Sequence, residues 1–248
     1  MFDYYLALGD SMSIDYYATQ DAERCGLGEI DHIGAASLFY SNNSTLFPEF
    51  ENNDLKAKYA GIKHLNVCID GATCDDLQYQ IGSKDIDEIK SNHRVLVTVT
   101  QGGNDMLHAF RRSMEGQDLL SLFGALRSNY KKSIEQIKKR LPNSLILLST
   151  VFDPTDGTGV LPTDSPLYNK KMPIEYLGEF NNFVKGFAGG KVVIADVHKH
   201  FLGHGAGCGS QESFWYWPPS PIEPSLRGSG EIRRVWMNAL LGSALVSK

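Results

Sequence analysis

Cysteine is scarce in this chain and none of it is paired by spacing. Cys25, Cys68, Cys74 and Cys208 form no C-x-x-C motif, so neither a zinc knuckle nor a dithiol redox motif is indicated. Long runs of lysine and arginine are also missing. With a formal net charge of −5, the composition argues against a nucleic-acid-binding surface. No apolar stretch approaches the roughly 20 residues that span a bilayer. There is no internal repeat, no low-complexity tract and no linker-like segment, and no basic leader precedes the first apolar residues. The expectation is a single domain over residues 1–248, cytoplasmic, with free thiols in a reducing compartment. Its 248 residues, 42% hydrophobic and 21% charged, suffice for a sizeable core.

What is present is an alternation of apolar strands and amphipathic helices. Strands are predicted at residues 4–8, 63–69, 94–100, 144–151 and 191–197. The third (RVLVTVT) and fourth (SLILLSTV) are near-continuous β-branched and aliphatic runs, which suits strands buried on both faces of a parallel sheet. Residues 119–141 form the clearest helix. Leu119, Leu122, Phe123, Leu126, Tyr130, Ile134, Ile137 and Leu141 recur at three- and four-residue steps, lysines take the other face, and Pro142 stops it. Thr73 with Asp76 three positions later is a capping-box pattern that opens another helix. Further helices are expected at residues 174–188 and 225–246. Residues 14–34, 153–173 and 198–224 are polar or rich in glycine and proline and are predicted as loops. The pattern is α/β with a mainly parallel sheet, so functional residues belong on the loops after the strands' C-terminal ends.

Three of those ends carry unusual residues. The first strand stops at Gly9-Asp10-Ser11, the second at Asp70-Gly71, and the third at Gly102-Gly103-Asn104-Asp105. In a parallel sheet all three emerge on one edge. Each has a plain reading as a turn, since glycine, aspartate, asparagine and serine all favour turns. Together they have a chemical one. Ser11 serves as nucleophile, and the N–H groups of Ser11 and Gly71 with the Asn104 amide serve as fixed donors to a developing oxyanion.

In order and spacing, Gly9-Asp10-Ser11-Met12-Ser13, Gly71 and Gly102-Gly103-Asn104-Asp105 resemble the blocks of the GDSL/SGNH hydrolase family. The resemblance implies a three-layer α/β/α sandwich, flavodoxin-like, around a five-stranded parallel sheet. It also implies serine-dependent hydrolysis of acyl or acetyl esters, with Ser11, Gly71 and Asn104 in the site and no cofactor. The G-x-S-x-G elbow of the α/β-hydrolases is absent around Ser11. The fourth block departs from the family. An Asp-x-x-His pair is usual before the last helix, whereas here Ser220 stands for Asp and Glu223 for His, followed by the expected proline, Pro224.

A serine hydroxyl needs a proton acceptor. Of seven histidines, His198, His200 and His204 fall in the loop expected to border the active edge, and Gly203 and Gly205 flank His204. The expectation is a rearranged triad of Ser11, His204 as base and Glu223 as orienting acid, with Asp196 as the competing acid. The alternative is that His204 packs under the Trp215-Tyr216-Trp217 loop. The three histidines also have a metal-like spacing, but the glycines interrupt a helix and no cysteine or carboxylate completes a ligand set. Phe47, Phe50, Phe214, Trp215, Tyr216 and Trp217 are candidates to line an acyl pocket or to stack on a sugar, or else to form loop cores. The partner expected is a small-molecule ester. A non-catalytic module that binds an ester or carbohydrate is the alternative function.

Overall fold

The computed structural model describes residues 2–161 and 171–243. β1 (Tyr4–Gly9) is followed by α1 (Tyr16–Arg24), α2 (Ala35–Tyr40), α3 (Leu55–Lys58) and β2 (Lys63–Asn66). α4 (Cys74–Ile81) leads to β3 (Val95–Thr100), and α5 (Gly103–Met114) and α6 (Leu119–Arg140) lead to β4 (Ser144–Ser149). α7 (Ile174–Lys185) precedes β5 (Val192–Ala195). Then come α8 (Val197–Phe201), a hairpin of β6 (Tyr216–Trp217) and β7 (Ser220–Pro224), and α9 (Leu226–Leu241).

The five strands of the main sheet run in the order β2-β1-β3-β4-β5, and every neighbouring pair is parallel. Every residue of β1, β3 and β4 is buried, which explains their unbroken apolar runs. Alternate side chains feed two cores. Leu6, Leu8, Val97, Val99, Ile146 and Leu148 pack with α4, α5, α6 and α7. Tyr5, Ala7, Leu96, Leu145 and Leu147 pack on the opposite face with α2, α8 and α9. The protein is therefore an α/β/α sandwich, as the strand pattern predicts.

The long helix is α6, one residue shorter than its periodicity suggests. Phe123, Leu126, Tyr130, Ile134 and Ile137 are its buried seam, each contributing roughly 1.5–3 kcal/mol by burial. Asp118 caps it by accepting the Ser121 N–H at 2.9 Å. At the start of α4, the Asp76 carboxylate accepts from the Thr73 N–H at 2.8 Å and its hydroxyl at 2.7 Å, completing the expected box. The bond from the Thr73 N–H, with that of the hydroxyl, holds the Asp76 carboxyl below its ordinary value.

Two predicted loops contain regular structure. Within residues 14–34 lies α1, whose buried face is Ala18, Asp21 and Ala22. A carboxylate in that face disguises the helix, and it is there because Asp21 accepts the Leu226 N–H at the start of α9, at 3.1 Å. Within residues 198–224 lie most of α8 and the β6–β7 hairpin. β5 ends at Ala195 because Asp196 leaves the strand and accepts the Lys199 N–H as the cap of α8. Of the loop predicted at 153–173, residues 162–170 lie outside the described residues.

Candidate active site

The end of β1 is fixed from two sides. Gln80 on α4 both accepts from the Gly9 N–H and donates to the Gly9 carbonyl, each at 2.8 Å. Thr100, at the end of β3, accepts the Asp10 N–H on its carbonyl at 3.0 Å, and its hydroxyl bonds Ser13 Oγ at 2.9 Å. Gly9 has φ +130°, and a Cβ there would lie 1.9 Å from the Thr100 carbonyl oxygen. Only glycine lets the two strand ends approach this closely. The hydroxyl of Ser11 follows at once on this rigid corner.

The second and third blocks are tied to each other. The side chains of Asn104 and Gln101 both donate to the Ala72 carbonyl, at 3.1 and 2.9 Å. The Asp105 carboxylate accepts the Cys74 N–H at 3.0 Å. Asn104 lies in the first turn of α5, whose N-cap Gly102 has φ +110°. The amide nitrogen of Asn104 carries two hydrogens, so bonding Ala72 leaves one to offer. Among the described residues neither the Ser11 nor the Gly71 N–H donates to a protein acceptor. Gly71 itself is exposed, with φ +71°.

Ser11, Asn104 and Glu223 line one cavity of about 110 Å³. Its remaining wall is mostly apolar: Met106, Leu107 and Phe110 from α5, Phe123 from α6, and Ile174 and Leu177 from α7. Asp10, Val151, Phe152, Asp153 and Ile222 complete much of the rest. Gly71 is next to Ala72 but not among the lining residues.

Glu223 is carried to this cavity by β7. The hairpin is pinned by Ser225, whose N–H and hydroxyl both donate to the Trp215 carbonyl, at 3.0 and 2.9 Å. Trp217 packs against Tyr17 of α1. Glu223 is buried, and its Oε2 has no hydrogen-bond partner among the described residues. Burial raises its carboxyl to about 7; the nearby Ser11 hydroxyl opposes this and the charge of Asp70 adds to it. Burial raises Asp10 more, to about 8; the Met12 N–H opposes this and the charge of Glu223 adds to it.

The imidazole of His204 lies elsewhere. It stacks flat on Trp215, with ring centroids 3.5 Å apart and planes at 4°, and its Nδ1 pairs with the Ser213 carbonyl at 2.9 Å. The flanking glycines serve a different contact. The N–H groups of Gly203, Gly205 and Gly207 all donate to the Asp156 carboxylate. Among the described residues, no histidine lines the cavity. His200 pairs with Glu231 at 2.8 Å, and the backbone N–H of His198 donates to Thr150 Oγ1. The three histidines thus take three separate sets of partners. Asp196 is engaged by Lys185 at 2.7 Å and by Thr150 at 3.0 Å. Burial disfavours its charge, but these two partners outweigh burial and hold its carboxyl below the ordinary value.

The aromatic residues singled out from the sequence form loop cores. Phe47 and Phe50 pack with Ile33 and Leu38 and lie under the Arg233 guanidinium. Trp215 and Tyr216 pack on Phe201. The cavity wall comes instead from α5 and α7. The amphipathic run Met106, Leu107, Phe110 is the signal for it, since it places apolar side chains at three- and four-residue spacing just after Asn104.

A lipase from a goat rumen metagenome superposes with a TM-score of 0.63 at 18% identity, covering 95% of this chain and 96% of that one. An acetylxylan esterase from Geobacillus stearothermophilus gives 0.62 at 17%, over 98% and 96%. An extracellular lipase from Streptomyces rimosus gives 0.55 at 16%, over 96% and 99%. These likenesses show a shared fold. No curated protein matches the sequence. The family model of the GDSL-like lipases and acylhydrolases matches residues 7–213, a span that holds the three strand-end blocks, and the chain belongs to that family of ester-bond hydrolases.

Proposed function

We propose that the protein hydrolyses carboxylic esters of short to medium acyl chains through an acyl-enzyme on Ser11. The observation that carries this reading is the cavity shared by Ser11, Asn104 and an apolar wall. Ser11 Oγ attacks the ester carbonyl. The oxyanion takes hydrogen bonds from the free Asn104 amide hydrogen and from the N–H groups of Ser11 and Gly71. Collapse expels the alcohol, and water then releases the acid. The wall of Met106, Leu107, Phe110, Phe123, Ile174 and Leu177 offers an apolar surface that suits an acyl chain of several carbons better than an acetyl group. The S. rimosus and goat-rumen proteins, named as lipases, and the G. stearothermophilus protein, named as an acetylxylan esterase, bracket the substrates to test.

The test is turnover of p-nitrophenyl acetate, butyrate and octanoate with stoichiometric fluorophosphonate labelling. Butyrate or octanoate is expected to exceed acetate in kcat/KM, and Ser11→Ala is expected to abolish both turnover and labelling. Turnover retained in Ser11→Ala refutes the reading. Neither labelling nor turnover in the native protein favours a non-catalytic binding module instead, for which the lack of histidine among the described lining residues is the relevant observation.

A further inference from the structure

The geometry points to Glu223 as the proton acceptor of Ser11, a carboxylate acting where an imidazole is usual. This rests on Ser11 being the nucleophile. Three observations carry it. Glu223 and Ser11 line the same cavity, and no histidine joins them among the described residues. The Glu223 carboxyl is buried, lines the cavity beside the Ser11 side chain, and has one oxygen with no partner among the described residues. The imidazole best placed by sequence, His204, is committed to Trp215 and Ser213.

A carboxylate in water is too weak a base for this work, and burial removes that objection. The groups facing Glu223 are Asp10 and Ser11 after β1, Tyr17 on α1, and Asp70 after β2; Asp153 lines the same cavity. None is cationic. The surroundings therefore disfavour the charged carboxylate and bring Glu223 to about 7, within the range that suits a general base at neutral pH. Asp10 lines the same cavity and its carboxyl is raised as well, so the two carboxyls disfavour carrying negative charge together.

The step balances as follows. The Ser11 Oγ–H bond breaks and its proton passes to the Glu223 carboxylate as Oγ bonds the ester carbon and the carbonyl π pair moves to oxygen. When the intermediate collapses, the C–O bond to the alcohol breaks and the protonated Glu223 returns the proton to the leaving alkoxide. In deacylation the same carboxylate takes a proton from water and returns it to Ser11.

The experiment is the pH profile of kcat/KM with p-nitrophenyl butyrate. In the native protein the rate should rise about tenfold per pH unit and level off above about 7. Glu223→Gln should lower kcat/KM by about 10²–10⁴-fold and abolish that inflection. Glu223→Asp should retain an inflection at a reduced rate, which separates chemistry from folding. Circular dichroism of each variant verifies the fold. A Glu223→Gln protein within threefold of native, with the inflection intact, overturns the inference. So does His204→Ala abolishing the inflection while Glu223→Gln keeps it. Activity surviving in Ser11→Ala refutes the acyl-enzyme on Ser11 on which this inference rests, so the two failures are distinguishable.

Discussion

Ser11 owes its position to residues that do no chemistry. Thr100 holds Asp10 and Ser13 on either side of it, and Gln80 holds Gly9 before it. Asn104 differs from these, because its amide ties two strand ends together through Ala72 and leaves a second hydrogen uncommitted at the cavity. Asn104→Ala should therefore lower kcat by about 10²–10³-fold, the usual effect of losing one oxyanion donor, with KM changing far less. A fall in kcat/KM arising wholly from KM would assign Asn104 to ground-state binding instead.

At the scale of elements, two close approaches set the active edge. The end of β1 meets the end of β3 at Gly9. The start of α5 meets α7 at Gly102, where a Cβ would lie 2.4 Å from the Phe180 ring. Both glycines also have positive φ. Gly9→Ala should destabilise the protein by roughly 3 kcal/mol or more, because backbone strain and a clash with a main-chain carbonyl add together. At Gly124 in α6, by contrast, a Cβ would meet nothing within 4 Å, so Gly124→Ala should stabilise by up to about 1 kcal/mol. Urea titration of the two variants measures the contrast. α5 contributes twice, since its first turn presents Asn104 and its next turns present Met106, Leu107 and Phe110 to the same cavity.

For the whole molecule, the site's acids contribute to how stability depends on pH. Glu223 and Asp10 keep their protons in the folded state to about pH 7 and 8, whereas their unperturbed values are 4.5 and 3.8. Between these limits the folded state binds more protons than the unfolded, so these two groups lower stability as pH rises from about 4 to about 8. Asp76 and Asp196 act with the opposite sign. Their carboxyls are held below the ordinary value, and the stability they contribute is lost as pH falls through the acid range. Glu223→Gln removes one raised acid. Its melting temperature should exceed the native value by several degrees at pH 8, corresponding to roughly 3 kcal/mol, and by much less at pH 5. Equal differences at both pH values would refute the raised Glu223.

The sequence alone determined the layers and the positions of the three strand-end blocks, because these are local. Burial on both faces requires unbroken apolar runs, a helix seam requires three- and four-residue steps, and a nucleophile or donor at a strand end needs only the residues around it. α1 stayed hidden because Asp21, a buried residue of that helix, is charged to serve a bond with distant Leu226. Only the tertiary structure decided which side chains share the cavity with Ser11. That choice depends on where the β6–β7 hairpin lands, set by bonds from Ser225 to Trp215 and by packing on α1. Residue spacing carries no record of these contacts. Glycines around His204 suggested an imidazole aimed at the site, whereas their N–H groups hold Asp156 and the ring lies on Trp215. The carboxylate of Glu223 lines the cavity because a short strand delivers it there, and burial at that place is what raises its carboxyl to about 7.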